Sequence, residues 1–185
     1  MATYITDLFM TLDGFGTGPV GYWGKQGPEL VAQRSRTFFA GEGEMLVLGA
    51  NTYRLMAGFV ADMGEEDASF ASLNAAKKIV ISRTLEEPLA MDNSTLTAED
   101  ALDAVPRLKA ESPVPLRSHG SISMNRALLA AGLVDRLEVT VFPVITGETG
   151  ENPILADLPD IDLELVDSRL FDGRVQHLVY VPAGT

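Results

Sequence analysis

Residues 114–133 read Val-Pro-Leu-Arg-Ser-His-Gly-Ser-Ile-Ser-Met-Asn-Arg-Ala-Leu-Leu-Ala-Ala-Gly-Leu. A short strand-like run stops at Gly120. A helical period starts at Ser121, with Ile122, Leu128, Leu129 and Leu133 available to one face. Gly120 lets the backbone turn without a Cβ clash, and Ser121 is a natural helix cap. The N–H groups of the first helical turn then point past the strand end, where an anion such as a phosphate is stabilised. A Gly-Ser pair serves equally well in a chain that only turns and caps its helix, so a ligand requires a second turn of the same construction.

That second turn lies upstream. Glu44–Leu48 reads as a short buried strand, and Gly49-Ala50-Asn51-Thr52-Tyr53-Arg54-Leu55-Met56 repeats the order strand, glycine, helix start. Two such turns can hold two phosphates, or one pyrophosphate and a neighbouring ribose phosphate. Lys77–Ser82 is a further strand ending in Ser82-Arg83-Thr84. Arg83 offers paired donors to a phosphate monoester; the alternative is a solvated arginine at a strand end.

Outward from these turns, residues 2–10 read as an opening strand. Residues 11–24 hold five glycines and a proline, too many for regular structure. This loop carries Phe15, Tyr22 and Trp23, the last the only tryptophan, and reads either as an aromatic lid over a flat ring or as a surface loop tucked onto the core. Asp13, flanked by Leu12 and Phe15, is either a partly desolvated proton-exchanging carboxylate or half of an Asp-Gly turn. A helix is expected over 28–39, a loop with a solvated acidic segment over 57–74, and a helix over 98–109 capped by Thr97 and reset by Pro106. Residues 135–143 read as an alternating strand followed by a glycine-rich turn, and 163–170 with 174–181 as a hairpin across Phe171-Asp172-Gly173.

The composition is that of one globular domain over 1–185, with 46% hydrophobic and 22% charged residues. No cysteine is present, which excludes disulfides, thiolate catalysis and cysteine-based zinc sites. No metal site is expected. Fourteen Lys and Arg against 26 Asp and Glu give a net charge of −12, which argues against nucleic acid and anionic membranes as partners. With no leader-like segment before the first strand and no run of 18 apolar residues, a cytoplasmic protein is expected.

About eight strands and four helices, α/β at first and antiparallel at the end, predict one mixed sheet with helices on both faces and ligands at strand ends. In this order the pieces resemble the dihydrofolate reductase-like superfamily, in particular the C-terminal reductase domain of riboflavin biosynthesis as a stand-alone member. The resemblance rests on Thr11-Leu12-Asp13-Gly14, Leu48-Gly49-Ala50-Asn51-Thr52-Tyr53, Ser82-Arg83-Thr84, Gly120-Ser121, Gly132-Leu133-Val134-Asp135 and Pro143-Val144-Ile145-Thr146-Gly147. It implies a three-layer sandwich around a mostly parallel sheet. It also implies a reductase moving hydride from NADPH to a pterin-like, ribosylamino-pyrimidine or other imine- or carbonyl-bearing small molecule.

The resemblance further assigns Gly49, Asn51, Thr52, Ser82, Arg83, Gly120, Ser121, Ile122, Thr146 and Gly147 to the cofactor, with Arg83 near the 2′-phosphate. It assigns Asp13 to proton relay or substrate anchoring, and it implies a homodimer. Phe15 and Trp23 are placed on the substrate side as lid aromatics, and His119 is read as a ligand contact or acid, or else as an exposed or hydrogen-bonded histidine. Two departures stand out: Ala50 and Asn51 occupy a place where many relatives carry a basic residue, and Arg117 and His119 end a strand that is usually apolar. Binding without turnover, in a catalytically silent nucleotide- or ligand-binding protein of the same fold, is the alternative.

Overall fold

Leu46, Val47 and Leu48 are three consecutive residues with no exposed surface, so the strand that carries them must be covered on both faces. In the computed structural model, which describes residues 1–17, 26–34, 43–63 and 68–183, that strand is β3 (Met45–Gly49). It lies inside an eight-stranded sheet. The other strands are β1 (Tyr4–Thr11), β4 (Lys78–Ile81), β5 (Ser94–Thr97), β6 (Leu116–His119), β7 (Arg136–Phe142), β9 (Leu163–Phe171) and β10 (Val175–Pro182). Their order is β5-β4-β3-β6-β1-β7-β10-β9, parallel from β5 to β7 and antiparallel at β10 and β9.

Helices cover both faces, and neighbouring residues of one strand belong to different layers. Val47 and Leu8 join the cluster formed with α4 (Ala101–Glu111) and α5 (Ile122–Ala130), through Ala104, Val105, Leu128 and Leu129. Leu46 and Leu48 pack with Tyr53 and Met56 of α2 (Ala50–Met63) and Leu73 of α3 (Ala68–Ala75). Phe9 packs with Leu30 of α1 (Pro28–Arg34), Phe142, Phe171 and Val175. The mostly parallel three-layer sheet with its terminal hairpin is therefore as expected.

Several local expectations need correction. Most of 57–74 is helical, because Met56, Ala57, Val60 and Leu73 bury against β3 and β4. Thr97 ends β5, and Asp100 caps α4 by accepting from the Leu102 N–H. Pro106 lies inside that continuous helix. Strand β7 does not alternate, since it is buried on both faces from Leu137 to Phe142. Within 11–24, Phe15–Thr17 forms β2, paired with β8 (Glu151–Pro153) in a separate two-stranded ribbon. The second half of the helix expected over 28–39 lies outside the described residues, as do Tyr22 and Trp23. Among the described residues, no helix is long and apolar enough to cross a membrane.

Candidate cofactor and substrate cleft

Strands β3 and β6 are neighbours, but their ladder holds only Met45↔Leu116 and Leu46↔Arg117. Beyond that point no ladder pair joins them, and each strand runs into its own glycine turn. At the mouth of this split the turns are tied together by side chains. The Gly49 N–H donates to Ser121 Oγ at 2.9 Å, the Ser121 N–H donates to Thr52 Oγ1 at 2.9 Å, and the two hydroxyl oxygens are 3.0 Å apart. Ser121 therefore does not cap its own helix as expected. It sits in the left-handed region with φ 49°, and its hydroxyl crosses to the other turn. Asn125 of α5 holds the Gly120 carbonyl from behind, and Gly120 itself has φ +64°, which favours glycine.

A cleft of about 960 Å³ opens at these turns, near the upper end of the roughly 300–1,000 Å³ of small-molecule sites. The first turns of α2 and α5 both line it, through Ala50, Asn51 and Thr52 on one side and Ile122, Ser123 and Met124 on the other. Backbone N–H groups of a first turn lack intrahelical acceptors, and the helix dipoles add positive potential there. Much of the remaining wall is apolar, from Leu55, Met56, Phe59 and Val60 of α2, Leu8 and Phe9 of β1, and Ile154, with Gln26, Arg34 and Asn152 as polar members. Gly16 of β2 forms part of the rim, where a Cβ would lie 2.7 Å from Ile154 Cδ1.

Of the residues singled out by sequence, Gly49, Asn51, Thr52, His119, Gly120, Ser121 and Ile122 come together in this lining. Six do not line it. Asp13 is exposed, and its carboxylate accepts from the Thr11 hydroxyl at 2.6 Å and from the N–H groups of Thr146 (3.0 Å) and Gly147 (2.8 Å). Led by the Thr11 hydroxyl, these donors hold its pKa below the usual carboxylate value. Thr146 and Gly147 thus spend their N–H groups on Asp13. The ring of Phe15 covers Gly150, where any Cβ would lie 2.5 Å from it. Ser82 Oγ accepts from the N–H groups of Thr84 and Leu85, turning the chain after β4. Arg83 is exposed and reaches the Ala98 carbonyl and Asp100.

Sequence reasoning passed over Arg54, on the outer face of α2. Its guanidinium donates to Asn51 Oδ1 at 3.2 Å and to Thr84 Oγ1 at 3.2 Å, linking the first turn to the end of β4. Its position three residues after Asn51 was the available signal, since that spacing shares a helix face.

A mostly parallel three-layer sheet with a terminal antiparallel hairpin, and a cleft between two strand-end turns, places the chain in the dihydrofolate reductase-like fold class. The chain belongs to the RibD C-terminal domain family, whose match spans residues 2–177. It is 28% identical over 183 residues to the uncharacterized protein YyaP of Bacillus subtilis (strain 168), with 95% of this chain and 93% of that one covered. Its fold is similar to that of a pyrimidine reductase-like protein of Corynebacterium diphtheriae, with TM-score 0.65, 16% identity and coverage of 100% and 93%. It is also similar to a diaminohydroxyphosphoribosylaminopyrimidine deaminase/5-amino-6-(5-phosphoribosylamino)uracil reductase of Thermotoga maritima, with TM-score 0.66, 14% identity and coverage of 98% and 57%.

Proposed function

We propose that the protein is an NADPH-dependent reductase acting on a small molecule that carries an imine or carbonyl group, of the pterin or ribosylamino-pyrimidine kind. The observation that carries this reading is the Gly49–Ser121–Thr52 tie, which brings two helix N-termini to one end of a single apolar cleft. Membership of the RibD C-terminal domain family supports it.

The residues fit a dinucleotide. The unpaired first-turn N–H groups of α2 and α5 would hold the diphosphate, because Gly49 and Ser121 are already engaged in the tie. Leu55 and Phe59, 59% and 52% exposed on the wall, would be covered by a flat ring. Arg54 and Arg83 flank the end of β4, where a 2′-phosphate would find its positive charge in a strongly acidic protein. When bound, the cofactor supplies hydride, and the protein orients the ring, excludes water and provides a proton.

Purified protein should quench NADPH fluorescence and oxidise NADPH with at least one member of a panel of pterins, dihydrofolate, flavins and ribosylamino-pyrimidines. Binding without oxidation would favour the silent binding protein instead. Absence of any nucleotide effect on melting would remove the reductase and the nucleotide-binding readings, since a ligand at 100 times its Kd adds about 2.7 kcal/mol. Arg54→Ala and Arg83→Ala should weaken NADPH more than NADH.

A homodimer is part of the same proposal. The edge strand β9 exposes Leu165, Val166 and Leu170, apolar surface that a second copy would cover.

A further inference from the structure

The floor of the cleft carries a buried acid-imidazole pair that neither the two turns nor the apolar walls account for. His119 ends β6 one residue before Gly120, is 1% exposed and lines the cleft. The ladder sets it directly beside Asp7 of β1, and its Nδ1 lies 3.0 Å from Asp7 Oδ2. Asp7 is 4% exposed, and its second oxygen, Oδ1, is buried with no hydrogen-bond partner among the described residues. An orphaned buried acceptor costs about 1–3 kcal/mol, more when charged, and apolar residues in its place would cost less. Stability therefore does not explain the pair.

Asp7 is nonetheless ionised. Burial pushes its carboxyl up, but His119 and the nearby Arg117 guanidinium outweigh that and hold it below the usual carboxylate value. Arg117 stands 3.9 Å from Asp7 and is fixed by Glu44 at 2.5 Å and Glu138 at 2.8 Å, so its charge stays in place. The other charged and titratable groups facing the pair are His177 of β10 and Arg34 of α1, both felt by Asp7. Asp13 stands outside the cleft with its oxygens engaged, which leaves the floor without that carboxylate as a proton source.

We propose that His119 is the proton donor of the reduction and Asp7 its positioning residue, an assignment that rests on the reductase reading of the cleft. As the carbon of a substrate C=N or C=O group accepts hydride from the dihydronicotinamide, its π pair moves to the heteroatom. That atom takes the proton from Nε2 of the imidazolium, forming N–H or O–H. The nicotinamide is left oxidised and the imidazole neutral, to regain its proton from water. The Asp7 carboxylate keeps Nδ1 protonated and stays ionised throughout.

The test uses the full chain and the panel compound that wild type reduces fastest. His119→Gln should lower kcat by about 100-fold or more, while the Kd for NADPH stays within about twofold. The protein has only two histidines, so His177→Gln assigns the imidazole nitrogen spectrum. In wild type the neutral His119 ring should carry its proton on Nδ1 and shift when NADPH is added. In Asp7→Asn that tautomer preference should be lost. Asp7→Asn also deprives Arg117 of an anion and can fail to fold, so the wild-type spectrum and His119→Gln decide the matter. Full kcat in His119→Gln, an Nε2-protonated ring in wild type, or an NADPH-insensitive His119 signal would each overturn the assignment while NADPH oxidation stands. NADPH binding without turnover of any panel compound would remove it together with the redox reading, leaving the nucleotide site intact.

Discussion

Ser121 Oγ lies 2.9 Å from the amide nitrogen of Gly49, so the start of one helix is held by a side chain from the start of another, 72 residues away. Ser121→Ala should therefore do more than delete a surface hydroxyl. It orphans the Gly49 N–H and loosens Thr52, costing about 1–2 kcal/mol of stability by urea unfolding. Thr52→Val should cost a similar amount. The double variant should lose less than the sum, with a coupling of roughly 0.5–3 kcal/mol, and NADPH affinity should fall in all three.

Asp13 clamps the β1 end to Thr146 and Gly147, and its depressed pKa makes that clamp pH-dependent. A carboxylate whose folded pKa lies below its unfolded value adds stability above the unfolded value, here 3.8, and loses it as pH falls through the folded one. Asp13→Asn should thus melt below wild type at pH 7, and the gap should close as pH drops below 3.8. Its effect on the pH profile of turnover above pH 5 should be nil.

Lys78 is buried beneath the end of α3, where its ammonium donates to the carbonyls of Leu73, Asn74 and Ala76. Burial pushes its pKa down to about 8 from 10.5. Between those values the unfolded chain holds a proton that the folded chain has released, so stability should rise as pH climbs from about 8 towards 10.5. Urea midpoints across that range should climb in wild type and stay flatter in Lys78→Met. At pH 7 the variant also leaves three helix-end carbonyls without their donor.

The apolar edge of β9 gives the assembly prediction. Leu170→Lys places a charge where a second copy would cover Leu170, and light scattering should report a shift from dimer to monomer, with the melting temperature falling with dilution in wild type only.

How much of this was legible in the sequence depends on the range of the forces involved. The two glycine turns were readable because a glycine at a strand end and the helix that follows it are local features, and both turns line the cleft. Their coupling was not, since Ser121 and Thr52 meet only through the β3–β6 neighbourhood. Asp13 stayed open between a proton carrier and half of an Asp-Gly turn because its partners, Thr146 and Gly147, lie more than 130 residues away and leave no local trace. The acid beside His119 was equally hidden, because Asp7 is placed there by strand order alone. The start of α2 was read, but its continuation past Met56 and the whole of α3 were taken for loop, because their burial is decided by tertiary packing on β3 and β4.

The split between β3 and β6 has one more consequence. Two rows of backbone that part without a ladder between them can settle at more than one separation, and here Ser121, through its hydroxyl and its N–H, sets the gauge. Replacing that residue with one of different reach, or removing it, would alter the aperture without disturbing the layers on either side. Aperture could thus diverge among descendants of this architecture while the scaffold stays constant.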